Sequence, residues 1–383
     1  MESALPSRKH MYSYWERKYW LDHYDYIIVG GGIVGLTTAF FLKDLSPNKS
    51  IIVLDRHIIP QGASTKNAGF ACFGTAGEVL DDLEHMTEDE VIRLIQLRWR
   101  GLERLKVLHR PKTINYSNSG GTEVFLDEDK FNHCSEKLDY LNKVMYEAIW
   151  HKNVFSVEQQ SKFKQLYKHI IFNPHEGVLN PVHLIRHLLG IVAGKRVQVL
   201  RGMGVKHVEN NNGIKVTLDS GLELSSEKLI YCTNAFSKQF LNADIVPARN
   251  QVLISKPIEN FNLKGTFHYD RGYVYFRQID NRLLIGGARN VDPQVEQTEN
   301  FGSNDKVINE LKTFAAQKIF GKPVEFEDHW SGIIATGGSK TPILKRLDDR
   351  TYAAIRLGGM GVAIGSELAF QVALLAESGK MKY

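Results

Sequence analysis

A short apolar stretch runs into three closely spaced glycines and then at once into an apolar helical pattern, over residues 25–42. Gly30 permits a tight turn from strand to helix, Gly32 lets a pyrophosphate approach the backbone, and Gly35 lets the helix pack closely on the strand. A second apolar run, SIIVLD, ends in Asp55, at the separation expected of an acidic residue that binds an adenosine ribose. This pattern predicts a strand–helix–strand unit with a pyrophosphate at the helix N-terminus, and hence an enzyme with a dinucleotide redox cofactor.

The bulk properties of the chain bound its class. At 383 residues it is too long for one simple core, so two domains are expected. A net charge of +5 is small for this length and does not favour nucleic-acid binding, which needs a concentrated basic face. Cys72, Cys134 and Cys232 lie far apart without metal-binding spacing, which indicates a reducing compartment, no disulfide framework and no metal site. Without a secretory signal or a run approaching the ~20 apolar residues of a membrane span, the sequence predicts a cytoplasmic protein.

The N-terminal segment is rich in aromatic residues. Trp15, Tyr19 and Trp20 interleave with Arg17 and Lys18. Such a mixture is typical of weak peripheral contact with a membrane interface. Because the segment is short and also carries acidic residues, we favour the alternative, a short helix whose aromatic side chains pack on the cofactor domain.

Local patterns indicate the order of elements along the chain. Residues 78–110 have the periodicity of one charged helix, and helical patterns continue to about residue 167. Asn180 and Pro181 have the residue types of an N-cap and a first helical position. The sequence NNNG and the Asp280–Asn281 pair predict hairpin turns in a β-rich stretch. The final stretch from Arg350 predicts a strand, a glycine-rich turn and a long apolar helix.

Several of these motifs, in this order, resemble the D-amino-acid oxidase family of FAD-dependent oxidoreductases, which includes glycine oxidase and sarcosine oxidase. The matching motifs are VGGGIVGL, GASTKNAGF, GVLNP, IYCTNAF, YVYFRQIDNRLLIGGA, WSG and GGMGV. The resemblance covers the chain from about residue 25 to its end. It implies an α/β fold, with a discontinuous Rossmann-like FAD-binding domain and an inserted α+β substrate domain built on an antiparallel sheet. The expected limits are 1–22 for a tail, 23–84, 171–246 and 326–383 for the FAD-binding domain, and 85–170 and 247–325 for the substrate domain.

The resemblance also implies roles for individual positions. Some are expected at the pyrophosphate and ribose, others beside the flavin ring or its pyrimidine edge, where a helix N-terminus stabilises negative charge on the reduced ring. Cys residues are absent from 332–336, where relatives attach the flavin covalently, so FAD is expected to be held non-covalently. The expected cofactor-binding residues are Gly30, Gly32, Ile33, Val34, Gly35, Asp55, Arg56, Ala63, Ser64, Thr65, Lys66, Asn67, Ala68, Gly69, Val205, Thr233, Asn234, Ala235, Gly332, Gly358, Gly359, Met360, Gly361 and Val362.

Three residues are candidates for substrate binding and catalysis. Tyr273 stands where the family has an active-site tyrosine, and strand alternation places Tyr275 and Arg277 on the same face. Packing inside the β-rich domain is the alternative for each of them, with even weight for Tyr275. His175 and Cys72 lack a sequence partner that would make either a base or a nucleophile, so both are interpreted as structural.

One position departs from the pattern of the family. Ile334 stands where amino-acid oxidases of this family have the arginine that binds the substrate carboxylate, and Gly359 occupies the other position sometimes cationic. A carboxylate in a dry pocket without a cation would cost several kcal/mol. Two alternatives follow. Either another arginine supplies the charge, namely Arg271, Arg277 or Arg289, or the substrate is an amine without an adjacent carboxylate. The resemblance to the γ-glutamylputrescine oxidoreductase branch favours the second alternative.

These observations predict an enzyme that oxidises the CH–NH bond of an amine or amino-acid-derived substrate. A hydride passes to flavin N5 and the resulting imine hydrolyses, with oxygen or a quinone as the final electron acceptor. Two alternatives stay open on the same scaffold. One is oxidation of a 2-hydroxy acid, which would need a base as well as an arginine, and the other is a flavin-binding module without turnover.

Overall fold

The computed structural model describes residues 12–379. The helices are α1 (Tyr14–Tyr19), α2 (Ile33–Leu45), α3 (Ala63–Lys66), α4 (Ala76–His85), α5 (Glu88–Leu108), α6 (Glu128–Ser135), α7 (Leu138–Ile149), α8 (Pro181–Gly194), α9 (Pro293–Glu296), α10 (Asp305–Phe314) and α11 (Gly361–Ser378). The strands are β1 (His23–Val29), β2 (Ile51–Asp55), β3 (Phe70–Ala71), β4 (Gly121–Val124), β5 (Ser156–Gln159), β6 (His169–Asn173), β7 (Gly177–Val178), β8 (Gln198–Arg201), β9 (Val205–Asn210), β10 (Ile214–Leu218), β11 (Glu223–Tyr231), β12 (Val246–Ser255), β13 (Thr266–Tyr269), β14 (Val274–Ile279), β15 (Arg282–Gly287), β16 (Phe326–Thr336), β17 (Ile343–Arg346) and β18 (Thr351–Ile355).

The first sheet has the strand order β17-β18-β11-β1-β2-β8, and β10 and β9 continue from β11. Strands β18, β11, β1, β2 and β8 are parallel to one another. Their central residues are apolar on both faces, as a covered parallel sheet requires. Ile28 and Val53 pack with α2, α5, α8 and α11, whereas Ile27 and Ile52 pack with the β9–β10 hairpin. The predicted strand–helix–strand unit is therefore the centre of this sheet.

The second sheet has the order β16-β12-β15-β14-β13-β4-β6-β5 and is antiparallel except for the β13–β4 pair. The sequence prediction grouped residues 326–383 with the FAD-binding pieces, but β16 lies in this second sheet. It pairs with β12 from Phe326 opposite Ser255 to Thr336 opposite Val246. The β6 strand belongs to the same sheet, so the limit at residue 171 divides a strand. The α/β class is confirmed, while the exact domain limits stay a prediction.

Two helical predictions need correction. The single helix expected over 78–110 is two helices, because Thr87 begins a new one. Its hydroxyl accepts from the Glu90 N–H, and the Glu90 carboxylate accepts from the Thr87 N–H. The helical region expected to reach about residue 167 ends at Ile149, where Trp150 adopts a left-handed conformation. By contrast, the start of α8 is confirmed, since the Asn180 side chain caps the helix ahead of Pro181.

The N-terminal aromatic residues do not pack on the cofactor domain as we had favoured. Helix α1 has no buried residue, and Trp15 and Trp20 are 65% and 55% exposed. The segment touches the core only beyond the helix, where Leu21 packs against the first sheet and Tyr24 is buried. The α1 side chains consequently stand in solvent. In residues 12–379, no helix combines the length and the apolar character needed to cross a bilayer.

Close helix packing beneath the first sheet gives a testable expectation. A Cβ at Gly101 of α5 would lie 1.8 Å from the Ala363 carbonyl oxygen of α11. Because two backbones would have to separate, Gly101→Ala should lower the free energy of unfolding by about 1–3 kcal/mol in urea denaturation.

Gly190 offers the matched control for that substitution. It also lies within a helix, α8, but a Cβ there would have no atom within 4 Å. Gly190→Ala should raise stability by about 0.5–1 kcal/mol, because alanine favours a helix. Equal effects of the two substitutions would contradict the packing described for α5 and α11.

Candidate active site

The first of the glycines shapes the carboxyl end of β1. Gly30 has a φ of +111°, and a Cβ there would lie 2.6 Å from the Cys232 carbonyl oxygen. A Cβ at Gly35 would lie 1.8 Å from the Gly30 carbonyl oxygen. The chain can therefore turn directly from the sheet into α2 only with glycine at both positions.

The loop leaves helix N–H groups directed at a groove. Neither Gly32 before α2 nor Met360 before α11 caps its helix with a side chain. Ser64 instead accepts from the Ile33 N–H at 3.0 Å, and Asp55 accepts from the Gly31 N–H at 2.9 Å. Two helix N-termini with their positive dipole ends thus meet at one groove, an arrangement that favours a bound anion.

This groove has a cavity volume of about 390 Å³, which lies in the range of ligand sites. It follows the carboxyl ends of the parallel strands, where ligands bind in open α/β sheets. The predicted cofactor-binding residues that line it are Gly30, Gly32, Ile33, Val34, Asp55, Arg56, Ala63, Ser64, Asn67, Val205, Thr233, Asn234, Gly358, Gly359, Gly361 and Val362.

The other predicted cofactor-binding residues have different positions. Lys66, Ala68, Gly332 and Met360 line a second cavity next to the groove. Neither cavity is lined by Gly35, Thr65, Gly69 or Ala235. Gly35 acts instead through helix packing, as described above.

Sequence reasoning missed part of the far end of the groove. Phe236 lines it, with the Arg56 guanidinium 3.8 Å from the ring centroid. Met203 and Gly204 also line it and precede β9, next to the predicted Val205. Phe236 lies inside the IYCTNAF motif, so its place in that motif was the available signal.

The second cavity has a volume of about 520 Å³ and shares Asn67, Ile334 and Gly359 with the groove. It lies between the glycine-rich turn before α11 and the face of the second sheet formed by β12, β14, β15 and β16. The Trp330 indole N–H donates to the Lys66 carbonyl oxygen at 2.9 Å and ties the β16 strand to the α3 loop. The position next to the groove is the one expected of a substrate cavity.

Tyr273 and Tyr275 both line this cavity, as predicted from strand alternation. The turn before Tyr273 is strained, since Asp270 and Arg271 both have positive φ. Burial raises the pKa of Tyr275 to about 12, although the positive charge of Arg289 opposes the shift. Tyr275 is therefore a neutral phenol at physiological pH.

Arg277 does not share the cavity with these tyrosines. Its guanidinium donates to the carbonyl oxygens of Gly69 at 3.4 Å and Leu179 at 3.2 Å, and it is not among the lining residues. Burial lowers the pKa of Arg277 to about 10. The structure thus gives Arg277 a contact with two loops rather than with the cavity, because the Gly69 and Leu179 carbonyl oxygens bind its guanidinium.

Most other cations of the cavity already have anionic partners. Arg271 pairs with Asp81 at 2.9 Å, and Lys340 pairs with Asp82. The buried Arg98 pairs with Glu78 at 3.1 Å. None of these three side chains carries an unbalanced positive charge into the cavity.

The Arg289 side chain, by contrast, has no hydrogen bond or ion pair with any described residue. Lys66 also lines the cavity without a paired carboxylate, but its ammonium lies 5.4 Å from the centroid of the Phe301 ring, which is outside the cavity lining. The backbone turns sharply at the end of β15, where Gly287 has a φ of +104° and Ala288 a φ of 54°. The Ala288 N–H donates to the Tyr273 carbonyl oxygen at 2.6 Å, which places Arg289 beside Tyr273. The Arg289 guanidinium carbon lies 5.7 Å from the centroid of that ring.

A buried histidine also lines the cavity, and sequence reasoning missed it. His268 Nε2 lies 3.2 Å from a Glu176 carboxylate oxygen, and both residues are buried. Burial alone would lower the pKa of His268, but the hydrogen bond and charge of Glu176, with Glu123 and Glu78, raise it overall. His268 Nδ1 has no hydrogen-bond partner among the described residues.

The two residues interpreted as structural have different surroundings. Cys72 lines the cavity, with its sulfur 3.9 Å from the Met360 sulfur, and burial raises the pKa of its thiol. It lies near His268 and Glu176, with one ligand-type atom of each within 4.8 Å of the others. His175 lies outside both cavities and packs against Trp99 and His151. The absence of a metal site stays a prediction.

A family model for FAD dependent oxidoreductases matches residues 25–374. The chain belongs to the FAD dependent oxidoreductase family. This membership confirms the resemblance found in the ordered motifs and establishes FAD as the cofactor. Both uncapped helix N-termini and the groove between them fit a molecule with a pyrophosphate at its centre.

Individual relatives are distant. The chain is 20% identical to L-2-hydroxyglutarate dehydrogenase of Escherichia coli O17:K52:H18 (strain UMN026 / ExPEC) over 238 residues, covering 57% of this chain and 49% of the relative. The chain therefore spans about half the length of that curated relative. L-proline dehydrogenase from P. horikoshii has a TM-score of 0.77 at 17% identity, covering 94% of this chain and 95% of that chain. Glycine oxidase from Bacillus cereus ATCC 14579 has a TM-score of 0.74 at 18% identity, covering 93% and 96%. These structures establish the likeness of the fold.

Asp55 provides a test of the groove. Its carboxylate accepts from the Gly31 and His57 N–H groups, and the sequence predicts that it binds the ribose. Asp55→Ala should raise the Kd for FAD about 10- to 100-fold, because a charge-assisted hydrogen bond and the loop that it orients are both lost. Titration of apoprotein with FAD, followed by flavin fluorescence, measures the change.

The control for this test is Asp44→Ala. Asp44 is also an aspartate, but it is exposed on α2, pairs with Lys195 and does not line the groove. It should leave the Kd for FAD unchanged. An unaltered Kd in Asp55→Ala would contradict the assignment of that carboxylate.

Proposed function

We propose that this FAD-dependent oxidoreductase oxidises the CH–NH bond of an amine that carries a carboxylate. The observation that supports the substrate class is Arg289, a guanidinium in the cavity without an anionic partner in the described chain. An unbalanced cation in a partly closed cavity is costly unless a ligand supplies the opposite charge. A carboxylate matches the planar fork of donors that arginine presents.

Arg289 would supply the positive charge that the family pattern places on β16. Ile334 occupies the expected arginine position and lines both the groove and the cavity. The cation would come from the turn after β15, on the neighbouring side of the same sheet. This origin favours an amino-acid-like substrate over the amine without a carboxylate that the sequence pattern favoured.

The remaining lining residues would orient the substrate. Tyr273 lies beside Arg289, so a carboxylate bound there would be within reach of the phenol as well. Phe70 and Ile334 give the cavity apolar walls that exclude water, and the edge of Phe70 contacts Tyr275 at a centroid distance of 5.4 Å. Fixing the substrate carbon against the groove supplies the orientation on which the rate depends.

The chemistry divides between cofactor and chain. Bound FAD supplies the acceptor for a hydride, two electrons and a proton, from the substrate carbon. The substrate nitrogen donates its lone pair as the C–H bond breaks, so a protonated imine forms. Water hydrolyses it to a carbonyl compound, with release of ammonium from a primary amine or of a smaller amine from a secondary one. The amine must enter this step without its extra proton, and the cavity residues bind and orient it in that form.

Arg289→Ala tests the proposed carboxylate contact. We expect the Kd of a carboxylate-bearing amine, measured by anaerobic flavin reduction in stopped flow, to rise about 100-fold, with a smaller effect on the limiting reduction rate. Arg289→Lys should lie between wild type and Arg289→Ala, since it keeps the charge but loses the fork of donors.

Arg271→Ala is the matched control. The Arg271 guanidinium carbon is also 5.7 Å from the Tyr273 ring centroid, but its charge is already paired with Asp81. It should change the Kd less than about threefold, as an exposed ion pair contributes little. If amines without a carboxylate reduce wild-type flavin equally well, the carboxylate part of the proposal is wrong.

A specific observation also favours a second candidate, oxidation of a 2-hydroxy acid. Removing a hydroxyl proton requires a base in the cavity. His268 lines the cavity, and Glu176 holds one ring nitrogen while the other lacks a partner in the described chain. The curated relative is named as a dehydrogenase of a 2-hydroxy acid, and Arg289 would bind either kind of acid.

His268→Gln separates the two candidates. The raised pKa of His268 means that its basic form increases as pH rises through a value above 6.5. Wild-type flavin reduction by a 2-hydroxy acid should therefore increase over that range, and His268→Gln should abolish it at every pH. Reduction by an amino acid should recover in the variant at alkaline pH, where the amine loses its proton to solvent.

His175→Gln is the control, because His175 lies outside both cavities. It should reproduce the wild-type pH profile with both substrates. A His268→Gln enzyme that still oxidises a 2-hydroxy acid at the wild-type rate would eliminate His268 as the base.

A further inference from the structure

Helix α1 presents an unusual cluster of exposed aromatic side chains. Tyr14, Trp15, Tyr19 and Trp20 are each more than half exposed, at 55–65%. Trp15 packs edge-on against Tyr14 at a centroid distance of 5.2 Å and stacks with Tyr19 at 6.2 Å. Three of these rings thus contact one another, and all four are largely exposed. Four large rings held in solvent need a ligand or surface to cover them.

The charges of the helix are arranged around these rings. Lys18 Nζ lies 5.6 Å from the ring centroids of both Tyr14 and Tyr19. Arg17 donates to the Tyr12 carbonyl oxygen at 2.8 Å. The acid of the helix, Glu16, accepts from the Ser13 N–H at 2.7 Å and is engaged in capping. Lys18 is thus the charged side chain placed against the rings, whereas the Glu16 carboxylate lies at the start of the helix and the Asp22 carboxylate lies beyond its end.

The aromatic helix is fixed to the fold and lies away from the cofactor groove. It is followed directly by β1, whose far end leads into Gly30. The Tyr24 hydroxyl donates to the Trp20 carbonyl oxygen at 3.0 Å, and Leu21 packs on the first sheet. A seven-residue strand spans about 23 Å, so a partner at α1 would leave the groove open.

We propose that helix α1 docks the protein on a membrane surface that contains anionic lipids. Tryptophan and tyrosine flanked by lysine and arginine are the residues that anchor proteins at the lipid headgroup level. A protein partner fits less well, because the cores of protein interfaces are depleted in lysine, and here Lys18 stands among the rings. The arrangement also lacks a long apolar stripe, so it predicts surface contact rather than insertion.

Co-sedimentation of the full-length, FAD-loaded protein with vesicles tests this proposal. Wild type should bind vesicles of phosphatidylcholine with phosphatidylglycerol, and bind more weakly to phosphatidylcholine alone or at high salt. Trp15→Ala/Trp20→Ala should weaken partitioning at least about tenfold through lost apolar contact. Lys18→Gln should weaken it about fivefold through the loss of one charge.

Trp150→Ala is the matched control, since Trp150 is 77% exposed at the end of α7, where its ring packs on Tyr146 rather than in the α1 cluster. It should bind vesicles as wild type does. All variants should keep the flavin absorbance and turnover of wild type, which shows that the fold is intact.

Three results would overturn the proposal. One is the absence of wild-type binding to the anionic vesicles, and another is unchanged binding by the double tryptophan variant. The third is a dimer, seen by analytical ultracentrifugation, that the double variant abolishes, because a second copy would then cover the rings. None of these readouts depends on the substrate proposed above.

Discussion

The contact between α2 and the end of β1 is the constraint on which the cofactor site depends. Without a side chain at Gly35, the helix approaches the Gly30 carbonyl so closely that its first turn opens directly at the sheet edge. Helix α11 reaches the same edge through its own glycine-rich turn. The Ile33 N–H of α2 donates to Ser64, but neither helix is capped by the side chain of its own N-cap residue, so these helix ends favour a negatively charged partner. The fold itself therefore places two positive helix ends where the pyrophosphate of the cofactor is expected.

The features that sequence reasoning predicted well are local ones. The turn at Gly30, the cap at Asn180 and the last helix each depend on a few consecutive residues with restricted backbone conformations. Their spacing along the chain also carried the resemblance to the family. A short motif thus identified the cofactor groove, and most of the predicted cofactor residues line it or the adjoining cavity.

The features that it missed depend on partners distant in sequence. Strand β16 joins the second sheet because β12 offers a matching edge, which no local pattern in β16 indicates. Strand alternation placed Arg277 with the tyrosines, but two backbone carbonyls hold its guanidinium elsewhere. For Arg289, the informative property is the absence of a neighbouring acid, and sequence cannot show such an absence. The exposure of Trp15 likewise depends on tertiary packing, which the local sequence does not determine.

The electrostatics of the cavity narrow the chemistry further than the fold does. Arg271, Lys340 and Arg98 are balanced by carboxylates, so the protein has neutralised most of the positive charge that it brings to this region. Arg289 is left for the substrate to balance, which selects an acid but does not distinguish an amine from an alcohol. That distinction depends on the proton of the reacting heteroatom. An amine can lose its proton to solvent before binding, whereas an alcohol must lose it inside the cavity, where the pair of His268 and Glu176 is the buried acceptor. In this proposal, Arg289 binds the carboxylate of either substrate, and His268 decides whether an alcohol can be oxidised.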